Sequence, residues 1–319
     1  MFDIQDENRR IVSLLPAATE ILCHLGLADQ LVGVSHQCRR TALLSDKPTV
    51  TFSAIPAAVT SGEIDAVVRH QIAQGQPLYG IDEALLGALR PDLIITQAQC
   101  DICAVRYDDV VTAARNIAPE GAVRVLSLQP ATLNDILKDV QRVGEAAGVP
   151  GRAEQCVGQL RARIDHVHCR TEALTLAERP RVTLIEWLDP LMIGANWTPD
   201  LVALAGGEYA LAQSGRHSVC VPWETVRQYN PQVLLVAVCG FDLNRTLSEA
   251  RQLQQLPGFS DIAAVTEGRV WVLDGDVHFN CPSPGVVDTL ELLAQLLHPQ
   301  RVPGPATVRA ATWRRFGSN

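Results

Sequence analysis

The run from Gly151 to Ala177, GRAEQCVGQLRARIDHVHCRTEALTLA, limits what this chain can become more than any other stretch. Its apolar residues Cys156, Val157, Leu160, Ile164, Val167 and Leu174 recur at helical spacing. Arg152, Glu154, Arg161, Arg163, Asp165, Arg170 and Glu172 fill the opposite face. Pro150 suits a first helical turn and Pro180 stops the run. At about 1.5 Å per residue the helix would be roughly 40 Å long. A lobe of about 100 residues has a radius of gyration of only about 13 Å. The spacing therefore predicts a spine over residues 151–180, between an N-terminal lobe at 1–150 and a C-terminal lobe at 181–298. The remainder, 299–319, is rich in Pro, Gly and Arg and is expected to be a flexible tail.

On either side of the spine, short apolar runs alternate with helical patterns. Arg10–Leu15, Leu31–Ser35, Asp92–Thr96 and Val123–Leu128 read as strands before it; Arg181–Trp187, Pro231–Cys239 and Val270–Leu273 read as strands after it. Helices are expected between them, among them 61–74, 132–148 and 284–297. The halves echo each other: RPDLIITQAQC answers NPQVLLVAVC, and VRVLSL answers RVWVLD. The pattern implies an α/β fold, with two Rossmann-like lobes built on mainly parallel sheets. Ligands of such sheets sit beyond the C-terminal strand ends, and the chemically rich residues of this chain cluster there.

Composition narrows the functions. Forty-seven per cent of the 319 residues are apolar, enough for two cores, and the net charge of −8 with dispersed basic residues argues against a nucleic-acid surface. The start, MFDIQDENRR, lacks an apolar h-region and no run approaches the length of a membrane span. The expectation is a cytoplasmic protein whose nine cysteines are thiols or ligands rather than a disulfide framework.

Cys100-x-x-Cys103 is the sharpest local motif, and with Cys38 and Cys239 at other strand exits it could hold zinc or an iron–sulfur cluster. Small polarizable cysteines packed into loops are the plain alternative. Trp187, Trp197, Phe241 and Phe279 offer flat apolar surface for a planar ligand, whereas Trp223 and Trp271 read as core. His36 and His217 could coordinate a ligand's cobalt or iron through imidazole, and Gln99 and Asn280 stand at strand exits beside them. Glu186 is expected to be partly buried and paired with Arg216 or Arg245. No Ser-His-Asp order, phosphate loop or nucleotide fingerprint is present, which favours a binding protein over an enzyme.

The stretches RRIVSLLPAATEILCHLGLADQLVGVS, RPDLIIT, LVALAGGEYAL, VPWETVRQYNPQVLLVA and HFNCPSPGVVDTLELLAQLL, together with the long helix, resemble the class III substrate-binding proteins of ABC importers, cobalamin-binding members above all. The resemblance spans residues 9–298. It implies a cleft that grips a bulky ligand, with cobalamin as the expected one. It also implies a permease-docking role for Glu208, which a cytoplasmic chain would not use. The reading is thus a cytoplasmic two-lobed binder of a tetrapyrrole-like ligand, with Cys100 and Cys239 facing one cavity. A thiol-dependent metalloprotein or iron–sulfur enzyme is the second reading.

Overall fold

The structure, a computed structural model, describes residues 9–38, 41–56, 59–98, 104–119, 121–302 and 312–317. The chain divides into two compact units, the first made of residues 1–59, 63–130 and 134–159, the second of 60–62, 131–133 and 160–319.

In the first unit, β1 (Ile11–Ser13) leads through Pro16 into α1 (Pro16–His24), then β2 (Leu31–Val34). After β3 (Thr51–Ser53) come α2 (Ser61–Ala73) and β4 (Tyr79–Ile81). They are followed by α3 (Glu83–Leu89), β5 (Leu93–Gln97), α4 (Tyr107–Ile117), β6 (Arg124–Leu128) and α5 (Leu133–Ala146). The sheet runs β2-β1-β5-β6 and is parallel throughout, as crossover helices require. Asp82 starts α3 by accepting the Leu85 N–H at 2.9 Å. Val12, Leu14, Val50, Leu86, Ile94 and Val110 are at the centre of a core shared by strands and helices. Strands β3 and β4 form a separate antiparallel ribbon that the sequence reading did not anticipate; at three residues each, neither carries a readable period.

The long helix expected at 151–177 is α6 (Pro150–Thr171), shorter at its C-terminal end. Its last carbonyl, that of Thr171, is capped by a side chain from beyond the helix. Arg179 donates to Thr171 O, Leu174 O and Ala203 O, each at 3.3 Å. Thr175 and Glu178 then start a new short turn with their own capping box. The division between units falls inside α6, between Gln159 and Leu160. On the first unit's side α5 lies close to α6: a Cβ on Gly144 would stand 2.3 Å from the Ala153 methyl.

The second unit contains β7 (Val182–Leu188), β8 (Leu191–Ile193), α7 (Thr198–Leu204), β9 (Val219–Cys220), α8 (Trp223–Tyr229) and β10 (Val233–Val236). Then come α9 (Leu243–Ala250), α10 (Ala263–Thr266), β11 (Val270–Leu273), α11 (Val286–Leu297) and β12 (Trp313–Arg315). Its sheet runs β12-β11-β10-β7-β8-β9, with β7, β10 and β11 parallel and the outer strands antiparallel. The internal echo has a structural meaning: β1-β5-β6 in one unit and β7-β10-β11 in the other share one strand order. The tail expectation is corrected for residues 312–317. Trp313 meets Trp271 at 5.4 Å between ring centroids and Phe316 meets Phe259 at 6.3 Å, so two aromatics far from β11 in sequence make its neighbour a strand.

Arg163 joins α6 to α11 within this unit. Its Nε and Nη2 reach the two oxygens of Glu291 at 2.8 Å each, and Nη2 also meets Asp288. The fork is two-thirds shielded, with 33% of the side chain exposed, so it should exceed an ordinary surface pair modestly. Arg163→Met is expected to cost about 1 kcal/mol, with the loss shrinking at high salt. Urea melts at two ionic strengths check this; a salt-independent difference would refute the electrostatic account.

Candidate functional site

The parallel strands of each unit end on one edge, and there the polar side chains gather. In the first unit a set of buried hydroxyls lies at the exits of β1 and β2. Thr19 donates to Ser13 Oγ at 2.8 Å and stands 3.1 Å from Cys38 Sγ. Thr51, on β3, donates to Ser35 Oγ at 3.2 Å and accepts the His36 backbone N–H at 3.0 Å.

His36 is half-buried, its ring 5.5 Å from that of Tyr79 and its Nδ1 2.7 Å from Thr51 Oγ1. With the Thr51 proton directed at Ser35, Nδ1 must be the donor, which fixes the tautomer and leaves Nε2 with its lone pair. Nε2 has no hydrogen-bond partner among the described residues. Burial lowers the imidazole below its ordinary value of 6.5, so the ring is neutral at pH 7. Neither Thr51 nor Tyr79 was legible as its partner, since nothing local in the sequence links them.

In the second unit, Trp187 lies near the end of β7 and remains partly exposed, its indole N–H donating to Asp189 O at 3.0 Å. It meets the Phe241 ring edge-on at 5.7 Å, and Arg245 lies over the same ring at 3.5 Å. Phe241 itself is buried, so it is the floor beneath Trp187 and Arg245. Trp197 and Phe279 are buried too, and the Trp197 indole donates to Phe279 O at 2.7 Å. These three were expected to offer open aromatic surface; packing against their own unit takes it from them. Asn280 is half-buried and ties two strand exits together, donating to Ala237 O at 3.0 Å and Gly275 O at 3.1 Å. Cys239 is exposed just after β10, and His217 is exposed on the loop before β9.

The expected arginine partner of Glu186 is replaced by a neutral one. Ser218 hydrogen-bonds the carboxyl, while Arg245 is occupied with Phe241. Burial pushes the Glu186 carboxyl up, and the Ser218 bond offsets only part of that.

Of the expected metal ligands, Cys38 is buried against Thr19, and Cys100 and Cys103, like the expected ligand contact Gln99, lie outside the described residues. The expected pairing of Cys100 with Cys239 therefore falls outside them as well. Among the described residues no group of three or more His, Cys, Asp and Glu side chains is placed to hold a metal ion. No helix among them is long and apolar enough to cross a membrane.

The family described as Periplasmic binding protein matches residues 11–277. An uncharacterized ABC transporter substrate-binding lipoprotein of Bacillus subtilis, YvrC, is 22% identical over 301 residues, covering 93% of this chain and 82% of its own. A vitamin B12-binding protein of Yersinia pestis is 26% identical over 235 residues, covering 72% of this chain and 69% of its own. Among solved structures, a periplasmic heme-binding protein from Pseudomonas aeruginosa superposes with a TM-score of 0.69 at 20% identity, covering 92% of this chain and 94% of that one.

Proposed function

We propose, from the premise that the chain belongs to the periplasmic binding protein family and is a ligand-binding protein of that type, that it binds a metal-centred tetrapyrrole, cobalamin foremost. The observation that carries this reading is His36. A neutral imidazole with Nδ1 held by a hydroxyl and Nε2 unpartnered among the described residues is the form that coordinates a metal. It suits a ligand that brings its own cobalt or iron, since the described residues offer no cage for a bare ion. The partly exposed Trp187, backed by Phe241, supplies flat apolar area of the kind a corrin or porphyrin buries. The vitamin B12-binding relative supports a corrinoid, and the heme-binding neighbour keeps a porphyrin as the alternative ligand.

Titration of the purified protein with aquocobalamin and with hemin, followed by visible spectroscopy, tests the reading. Saturable binding with a band shift typical of imidazole coordination is expected, and it should persist as pH falls through the ordinary imidazole range. Thr51→Val frees the ring to change tautomer and should weaken binding by about 10–100-fold, as loss of an orienting partner does. Absence of saturable binding to either compound would overturn the proposal. Binding with an unchanged spectrum in both wild type and His36→Ala would remove His36 from it.

A further inference from the structure

Glu186 is a partly buried carboxyl near the end of the central strand β7, and among the described residues no cation is paired with it. Enclosing an acid without a cation is costly, so its neighbours matter. Its carboxyl lies against Gly194, where an added Cβ would come within 3.2 Å of Oε2. Ser218 donates to the carboxyl and its Oγ accepts the Ala195 N–H at 3.1 Å. The next residue, Asn196, has a positive φ of 50° and is held on both sides, its N–H by Arg216 O at 2.7 Å and its carbonyl by Gly215 N–H at 3.0 Å. Trp197 follows, and its indole fixes Phe279, itself at φ 68°, beside Asn280.

We propose that Glu186 is a positioning residue: through Ser218 it holds the 194–197 turn, and through Trp197 it sets the Phe279–Asn280 loop of the second unit's strand-exit edge. Burial pushes the carboxyl above its ordinary range, and the ionisable group packed near it is the Tyr209 phenol, which donates to Gly194 O at 2.6 Å and is itself raised well above its ordinary value of 10.0, by burial first and by the Glu186 charge second. An acid raised above its ordinary value of 4.5 contributes stability in full below that value. The contribution is lost as pH rises through the folded-state value, when a carboxylate must form in the enclosure. The inference rests on the ligand-binding reading only for its functional consequence, because the loop can be followed without any ligand.

Hydrogen exchange of the Trp197 indole, read by NMR, tests it directly. Glu186→Gln keeps an acceptor for Ser218 and should leave the exchange near wild type. Glu186→Leu and Ser218→Ala should each accelerate it roughly tenfold, the change that loss of one buried hydrogen bond produces. Wild type should also lose Tm relative to Glu186→Gln as pH rises above 4.5, which a merely space-filling side chain would not show. Should Glu186→Leu fail to fold, Ser218→Ala carries the test alone. Unchanged indole exchange in Ser218→Ala, or parallel Tm–pH curves for wild type and Glu186→Gln, would overturn the proposal whatever the protein binds.

Discussion

Gly275→Ala is expected to destabilise the second unit by about 3 kcal/mol, the upper part of the usual range for overpacking. The reason is space rather than backbone angle. A Cβ at position 275 would lie 1.8 Å from Val238 O and 2.6 Å from its carbonyl carbon, so the obstacle is main chain, which cannot rotate away. The two segments are also fastened together, since Gly275 N–H donates to Phe241 O at 2.9 Å and its carbonyl accepts from Asn280. Relief requires moving either the exit of β10 or the exit of β11, and both are parts of the candidate site. In a unit of about 150–200 residues the loss corresponds to roughly 10 °C in Tm. Calorimetry should show it, together with weakened ligand binding, because Cys239 to Phe241 and Phe279 to Asn280 shift with the backbone. A melting temperature within about 1 °C of wild type would mean that the strand exits are looser than these contacts imply.

The elements that could be read from sequence are those whose own residues carry the period. The β5 run Leu-Ile-Ile-Thr and the β10 run Val-Leu-Leu-Val are buried on both faces, so they stand out as unbroken apolar runs between turn residues. The helix α6 shows its stripe over six turns. What could not be read depends on partners distant in sequence. β9 is held by pairing to β8 across a long loop, and β12 by Trp271 and Phe259. The site divides in the same way. His36 stands next to a strand exit and was legible, but the Thr51 hydroxyl that fixes its tautomer comes from a ribbon fifteen residues on. Phe241 and Phe279 sit where a ligand wall would sit. An aromatic at a strand exit reads identically in sequence whether it faces a ligand or fills the floor behind one, and only the surrounding packing separates the two.

Ending the chain after residue 311 is expected to cost on the order of 5 kcal/mol. β12 contributes a three-residue ladder, Trp271↔Arg315, Val272↔Arg314 and Leu273↔Trp313. Its larger contribution is aromatic, for Trp313 packs edge-on to Trp271 and Phe316 edge-on to Phe259. Two aromatics each covering about 150–250 Å², here only partly buried, give that order of stabilisation at roughly 25 cal/mol per Å². Thr312 reaches further in. Its carbonyl accepts Asp274 N–H at 2.8 Å, and its hydroxyl lies 3.0 Å from Nε2 of the buried His278. The other imidazole nitrogen meets Thr289 of α11 at 3.0 Å, so deletion also leaves a buried ring nitrogen without its partner. β11 would then become an edge strand with Trp271 uncovered, a template for pairing between copies. Thermal melts and light scattering of the shortened chain should show a Tm lower by ten degrees or more, on the order set by unit size, and aggregation on heating. Arg314→Ser, which alters only an exposed side chain of β12, should do neither. If the shortened chain melts within about 2 °C of the full one, β12 rests on the sheet without stabilising it, and the tail is an appendage.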